Sequence, residues 1–536
     1  MIKAIIKKEW LKIKYLVLFL FLITISVLIH FYINLEFLFK TVEPESMMWY
    51  RFSSLEQKPY DYLAYLFYLI SIAISLFQFI PERVKNRVKM IIHFPISISK
   101  SIFLHLFVGA IYISILSLFI SSSTSYILSF YYPSEIITIA LKDFFFYFLG
   151  SLILYFGVSS AIIEKNSTIS IIKLSLSILF IFIFHKNIFN TNDLLWIIVS
   201  LFLITLVLDS FYSIKEQRVN TISFKFLTIS SIFIVGYFAS ISYKEEFKKE
   251  FNKYYIFYSP IIKEFVYQKN FGEHNFEYGI KDKKTFDRET YESYLPFVYW
   301  RNLDIQKKLP IMIDTETFDK ELIRDSRLSF SFKPEFLKEQ ELKLYPFLNP
   351  NSKIGMIKFP EEVLIFEDKK ITAYNFDEKL DKKLSEELTS LTKKHKVSFP
   401  IKKVWGKATN LKPFDLGYFF LDSKNRLFRL NRADDITYLN EISYPKEIDL
   451  AYIRISENRQ KQFAGYAISK NSDFYLLDYH SFEFKKIDLK EFDYKKMRLQ
   501  LISNPKYYLI RYTDEENYFV SLFDKKLNKL EEEVFK

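Results

Sequence analysis

Apolar positions follow two different rules along this 536-residue chain. Up to about Tyr243 they gather into long runs parted by short polar links. From Lys244 to Lys536 charge is dense and no apolar run is long enough to cross a bilayer, which takes about 20 apolar residues. Seven runs read as spans: 15–35, 61–80, 101 to about 121–131, 144–163, 169–184, 194–208 and 226–243. Lys173 lies near the start of the fifth, where a long side chain can snorkel to the interface. Ahead of the first span, residues 1–14 read MIKAIIKKEWLKIK. Ile2, Ile5, Ile6, Trp10 and Ile13 share one helical face, and Lys3, Lys7, Lys8, Lys12 and Lys14 fill most of the rest. The pattern predicts an interfacial amphipathic helix with Trp10 at headgroup level. The run that follows is too long for a signal peptide and lacks a small-residue cleavage site.

The second half changes period. Residues 377–396 carry Leu380, Leu384, Leu388 and Leu391 near helical spacing, which predicts one amphipathic helix. Beyond it the pattern is strand, turn, strand: GYFFLDSKNRLFRL from Gly417, GYAISKNSDFYLLD from Gly465 and YYLIRYTDEENYFVSLFD from Tyr507. A repeat of about 40–50 residues suits propeller blades, and a sandwich would show the same hairpins. The fold class is a polytopic α-helical membrane domain of about seven transmembrane helices, residues 15–243, followed by a mainly β soluble domain, residues 244–536, propeller-like or a sandwich, with at least one helix.

Charge sets the expected topology. The links 81–100, 164–168 and 209–225 hold most of the cations found between spans, whereas 36–60, 132–143 and 185–193 are balanced or acidic. The positive-inside rule then places the N-terminus in the cytoplasm. An odd number of spans places residues 244–536 in the periplasm of a bacterium, with the chain in the inner membrane. The net charge of +12 would suggest nucleic acid on a soluble protein. Here much of it sits in membrane links, and the lysines of the second half alternate with acids, so no nucleic-acid partner is expected.

Candidate chemistry is sparse. The absence of cysteine excludes disulfides and thiolate metal sites. The seven histidines, His30, His93, His105, His185, His274, His395 and His480, form no metal-binding spacing. With ten glycines, the chain holds no phosphate-cradling loop. No catalytic residue, cofactor or metal is expected, and the chain is not read as an enzyme. The spans hold almost no ionisable residue at mid-depth. Gln78 and His105 lie near span ends, which argues against an ion or proton pump.

What stands out is the link PERVKNRVKMIIHFPISISK, residues 81–100, with Arg83, Lys85, Arg87 and Lys89 within seven positions. Together with IIKKEWLKIKY at the N-terminus, this stretch resembles the permeases of type-2 ABC exporters. In that family the segment after the second span has the form E-R, basic residues, an apolar patch, then P-[IV]-S and a basic residue. Glu82, Arg83, Arg87, Pro95, Ser97 and Lys100 match it. The resemblance covers about the first 240 residues. It implies a cytoplasmic helix that contacts a separate ATPase, and a homodimer or a heterodimer with a second permease. The expected contact set is Glu82, Arg83, Lys85, Arg87, Pro95 and Lys100, with Trp10, Lys7 and Lys8 on the interfacial helix. Six spans are usual in that family; this chain adds a seventh and an outer domain. The second half, through YLPFVYWRNL, LYPFLNP and LGYFFLDSKNRLFRL, is similar to a bacterial family known only as a domain of unknown function. The expected role is a membrane subunit of an ABC-type transport or mechanotransmission complex, whose outer domain binds cargo or a periplasmic partner. The alternative is an ATP-independent scaffold or sensor anchored in the bilayer.

Overall fold

The structure is a computed structural model. It describes residues 2–84, 87–89, 96–185, 193–216 and 253–536, except 273, 339–341, 378 and 515, and scattered positions from 229 to 243. The chain divides into two compact units, Met1–Glu246 and Phe247–Lys536.

The first unit is helical. Ile2–Thr41 (α1) runs for 40 residues, about 60 Å at 1.5 Å per residue. No glycine or proline interrupts it. The separate interfacial helix expected over residues 1–14 is therefore not a separate element: its lysines lie on the first turns of α1. Ser46–Ser54 (α2) follows, then a 3-10 turn, Asp61–Leu63, leading into Ala64–Val84 (α3). Ile98–Leu128 (α4), Ser134–Ile163 (α5), Ser167–His185 (α6) and Asp193–Glu216 (α7) complete the unit as described.

Among the described residues four helices are long and apolar enough to cross a membrane: Lys3–Thr41, Asp61–Val84, Ile98–Leu128 and Ser134–Ile163. That is fewer than the seven spans expected. The fifth expected span lies on α6, which is apolar over Ser167–Phe182 and whose side chains beyond 182 lie outside the described residues. The sixth falls in α7, whose side chains up to residue 202 lie outside the described residues, as does much of the seventh, 226–243.

Small residues let the helices approach closely, as is usual in apolar bundles. A Cβ on Gly109 would sit 2.0 Å from the Tyr155 hydroxyl, and one on Gly157 would sit 1.8 Å from Ser177 Oγ. Ser75 and Ser159 join hydroxyls across α3 and α5 at 2.6 Å. The up-and-down order gathers the start of α1, the end of α3, the start of α4 and the end of α5 at one end of the bundle. Lys12 reaches Glu82 there, and Arg83 donates to Ile162 O at 3.0 Å. At the other end Trp49 Nε1 donates to Tyr131 O at 2.8 Å, and Lys58 pairs with Asp143 at 2.7 Å.

The second unit is mainly β, built from six separate antiparallel sheets with no closed barrel among the described residues. Strands β1–β4 (Lys253–Ser259, Glu264–Asn270, Phe276–Ile280, Lys284–Phe286) form the first sheet. Short helices Arg288–Tyr294 (α8), Trp300–Ile305 (α9) and Lys320–Asp325 (α10) flank the hairpin β5–β6 (Ile311–Ile313, Glu316–Phe318). Ser329–Phe332 (β7) comes next, then a three-stranded sheet β8–β10 (Leu344–Pro346, Val363–Phe366, Ile371–Tyr374). The expected amphipathic helix is Lys382–Lys394 (α11), started by the Asp381 carboxylate, which accepts from Leu384 N. Its Leu384 and Leu388 pack on Ile371 and Ala373.

Three four-stranded meanders close the chain. They are β11–β14 (Lys403–Trp405, Tyr418–Leu421, Leu427–Ala433, Ile436–Ile442), β15–β18 (Leu450–Ile455, Phe463–Ser469, Phe474–Asp478, Phe484–Ile487) and β19–β22 (Arg498–Ser503, Tyr508–Thr513, Tyr518–Phe523, Lys529–Phe535). The three repeated sequence hairpins are the central pairs β12–β13, β16–β17 and β20–β21. Strand β7 extends the last meander, with Leu499 opposite Phe332 and Leu501 opposite Phe330. One apolar core joins faces of all three meanders. Every residue of β16 is buried, which explains why it reads as a continuous apolar run rather than an alternation.

The glycines that open two of the repeats have a definite job. Gly417 has φ +77°, and a Cβ there would lie 2.2 Å from Leu430 O on the paired strand. Gly465 has φ +147°, with Arg454 O at 1.9 Å from the same position. Only glycine fits both the backbone and the approach. Gly417→Ala is expected to destabilise the β unit by more than about 1 kcal/mol. Gly355→Ala, where nothing lies within 4 Å, is expected to shift it by under about 0.5 kcal/mol. Urea midpoints of the full chain in detergent check both.

Candidate functional site

The densest polar chemistry of the helical unit lies at the end where α1, α3, α4 and α5 meet. Helical spacing prepares it. Ile5, Glu9 and Ile13 follow one another at i, i+4 along the inward face of α1, and Lys12 adjoins them at i+3 from Glu9. Gln78 and Glu82 are one turn apart on α3. Ser101, His105 and Gly109 follow at i, i+4, i+8 on α4.

Glu82 is the focus. Its Oε1 lies 2.8 Å from Lys8 Nζ and 2.9 Å from Lys12 Nζ, and its side chain is 2 % exposed. Lys12 also reaches Glu9 Oε1 at 2.8 Å and donates to Gln78 O at 2.8 Å. Gln78 passes the contact on: its Nε2 donates to His105 O at 2.7 Å, and its Oε1 accepts from the Tyr155 hydroxyl at 2.8 Å. His105 Nδ1 donates to Ser101 O at 2.7 Å, which turns Nε2 toward Glu9 Oε1 at 3.7 Å. Two lysines and two glutamates thus neutralise each other at the packed end of four helices. Separately they would carry a large desolvation cost.

A second ionic centre binds α5, α6 and α7. Lys173 is fully buried and does not snorkel as expected. Its Nζ lies 2.8 Å from Glu164 Oε2, 3.0 Å from Asp209 Oδ2 and 2.7 Å from Ser210 Oγ. Glu164 in turn accepts from Ser213 at 3.1 Å and from the Lys165 amide at 2.9 Å. The sequence reading missed the reason: Glu164 lies nine residues before Lys173 and Asp209 lies 36 after it, and the three meet only when α6 and α7 both pack on α5.

The expected contact residues separate into groups. Glu82 is sealed into the bundle, so the expectation that it faces a soluble partner is corrected: Lys8 and Lys12 already hold it. Arg83 is exposed, Arg87 is half-buried and Lys89 is exposed. Lys85 and Pro95 lie outside the described residues. Lys100 is exposed and stands on an apolar groove of about 510 Å³ lined by Ile96, Phe103, Phe107, Phe156 and Ile204. On α1, Lys7 is exposed, Lys8 points to Glu82, and Trp10 is 44 % exposed and stacks on Tyr112 at 5.8 Å. Glu9 went unremarked in the sequence, although it is the one acid among five lysines of residues 1–14. No group of three or more acidic or histidine residues suited to a metal occurs among the described residues.

Glu82→Ala leaves two lysines facing a low-dielectric contact and is expected to cost about 3–5 kcal/mol. Combining it with Lys12→Met should restore part of that loss, with a coupling of about 1–3 kcal/mol. Denaturant unfolding of the four cycle members in detergent measures it; additive losses would deny the pairing.

Residues 255–522 match the family model described as Domain of unknown function (DUF4857). The match lies inside the β unit and agrees with the resemblance read there from sequence. The permease resemblance of the first 240 residues rests on sequence pattern. No curated protein and no solved structure matches the chain.

Proposed function

We propose that this chain, which belongs to the Domain of unknown function (DUF4857) family, is the membrane subunit of an ATP-driven complex. In this reading a separate ATPase docks on residues 81–100, chiefly through Arg83, Arg87 and Lys100. The observation that carries the proposal is the ionic lock at Glu82. The lock sits at the start of this segment and ties α3 to α1 directly, and to α4 and α5 through Gln78. A displacement applied at residues 83–100 would therefore move four helices together rather than bend one loop. A chain with no phosphate-binding loop of its own needs such an entry point if it is to be driven.

The finer points of the reading follow from it. The bundle spans a bacterial inner membrane seven times, with its N-terminus in the cytoplasm and the β unit in the periplasm. It works as a homodimer or beside a second permease. The three successive meanders favour a propeller-like arrangement over a two-layer sandwich, and the β unit binds cargo or a periplasmic partner. The sparse mid-span polarity and the apolar groove beside Lys100 favour motion transfer or lipid handling over ion transport.

The test is co-purification with, and stimulation of, a Walker-motif ATPase without membrane spans encoded beside this gene. Arg83→Glu with Arg87→Glu is expected to lower both by at least about tenfold, equivalent to about 1.4 kcal/mol, with helical content unchanged. Undiminished coupling in that double variant would favour the ATP-independent scaffold. A periplasm-active reporter fused after Lys536 is expected to be active; a well-expressed, inactive fusion would reject the seven-span topology.

A further inference from the structure

The β unit holds a cavity of about 460 Å³, bounded by β1, the segment 295–298, β7 and the last meander, within the size range of small-molecule sites. Its apolar wall includes Phe257, Leu295, Phe297 and Leu509. Its polar wall is one-sided: Arg327 and Arg511 contribute cations, Gln500, Ser503 and Asn504 are neutral, and no lining residue is acidic.

Arg511 is held in place without being neutralised. Its Nε and Nη2 donate to Gln500 Oε1 at 3.0 and 2.5 Å, and Nη1 donates to Ile256 O at 3.4 Å. The Tyr255 and Phe257 rings lie 5.6 and 5.0 Å from the guanidinium carbon. Of the five N–H donors of a guanidinium, these contacts leave one on Nη1 and one on Nη2 uncommitted. Among the described residues neither Arg511 nor Arg327 forms an ion pair. Nearby Lys506 contrasts with them, for it pairs with Asp314 at 2.9 Å and Glu316 at 3.4 Å. Lys525 adds a further cation beside the cavity wall, donating to Ser503 Oγ at 2.9 Å.

We propose that this cavity binds a small organic oxyanion with an apolar body, its charged group at Arg511 and its body against Phe257, Leu295 and Phe297. A preset guanidinium with spare donors and no carboxylate partner is the arrangement that a charge-assisted, two-point hydrogen bond requires. Amide and ring contacts fix the side chain before binding, so little ordering cost falls on the ligand. Arg327, exposed at the rim, draws anions in. The inference stands on the β unit alone and is independent of the ATP-driven role.

Isothermal titration of the full chain in lipid nanodiscs, with empty nanodiscs subtracted, tests it. The probes are 3-phenylpropionate and phenylphosphonate, with 3-phenylpropanol and 3-phenylpropylamine as neutral and cationic counterparts. At least one anion is expected to bind, and the alcohol at least about tenfold more weakly, because the charge-assisted contact is worth more than about 1.4 kcal/mol. Preference between the two anions tells a carboxylate from a phosphate-type ligand. Arg511→Gln is expected to weaken the anion by at least about tenfold. Ser329→Trp fills the cavity from an exposed position and is expected to abolish binding without touching the core. It decides the matter if the Arg511 variant does not fold. Equal affinity for acid and alcohol, unchanged binding in a folded Ser329→Trp chain, or no saturable anion binding up to about 10 mM would each overturn the proposal.

Discussion

Glu82 carries a carboxylate to the end of an apolar helix, where, among the described residues, Lys8 and Lys12 stand close enough to balance it. That requirement reaches beyond the pair. Lys12 must be presented by a helix rather than lie flat on a membrane surface, so α1 continues unbroken through its basic first turns. Gln78, one turn below, then has its carbonyl taken by Lys12 and its amide shared between His105 O and Tyr155. The close approach of α4 depends in turn on Gly109, whose missing side chain leaves room for the Tyr155 hydroxyl. One neutralised charge thus sets the spacing and register of four helices.

The Lys173 centre repeats the arrangement for α5, α6 and α7, near the same end of the bundle, since Glu164 follows two residues after the carbonyl that Arg83 holds. The helices are therefore pinned by two buried ionic clusters at this end, by the Lys58–Asp143 pair at the other, and between them by apolar contact and small-residue packing. Rigid coupling close to the basic link 81–100 is the physical ground for placing an input of force there. In apolar surroundings a broken ion pair is costly, so the pinned helices are expected to move as a body.

The β unit relies on a different cohesion. Its meanders stack through large aromatic and branched side chains, with Tyr466, Tyr508 and Tyr512 fully or nearly fully buried. Ionic burial is local, as in Lys412, which lies 2.5 Å from Asp415 and 2.7 Å from Glu457. Arg511 differs from Lys412 in being clamped by an amide and two rings, without a carboxylate, at the wall of a cavity.

Much of the outline was legible in the sequence. Hydropathy is a local, additive property, so the break near residue 243 and the long apolar helices could be read from runs of residues. The three hairpins were equally plain, because alternating runs around turn residues need only their neighbours; Gly417 and Gly465 even marked their starts. The count of spans was less secure, since α6, at 19 residues, sits toward the short end of the usual length. What the sequence by itself determined was where helices and strands form and where charge accumulates. Only the tertiary structure decided what those charges do. Lys173 reads as a snorkelling side chain and Glu82 as a surface contact, because a single sequence shows each without its partner. Burial and pairing arise when segments apart in the chain, α1 with α3 or α5 with α7, close on one another, and no local pattern encodes that meeting.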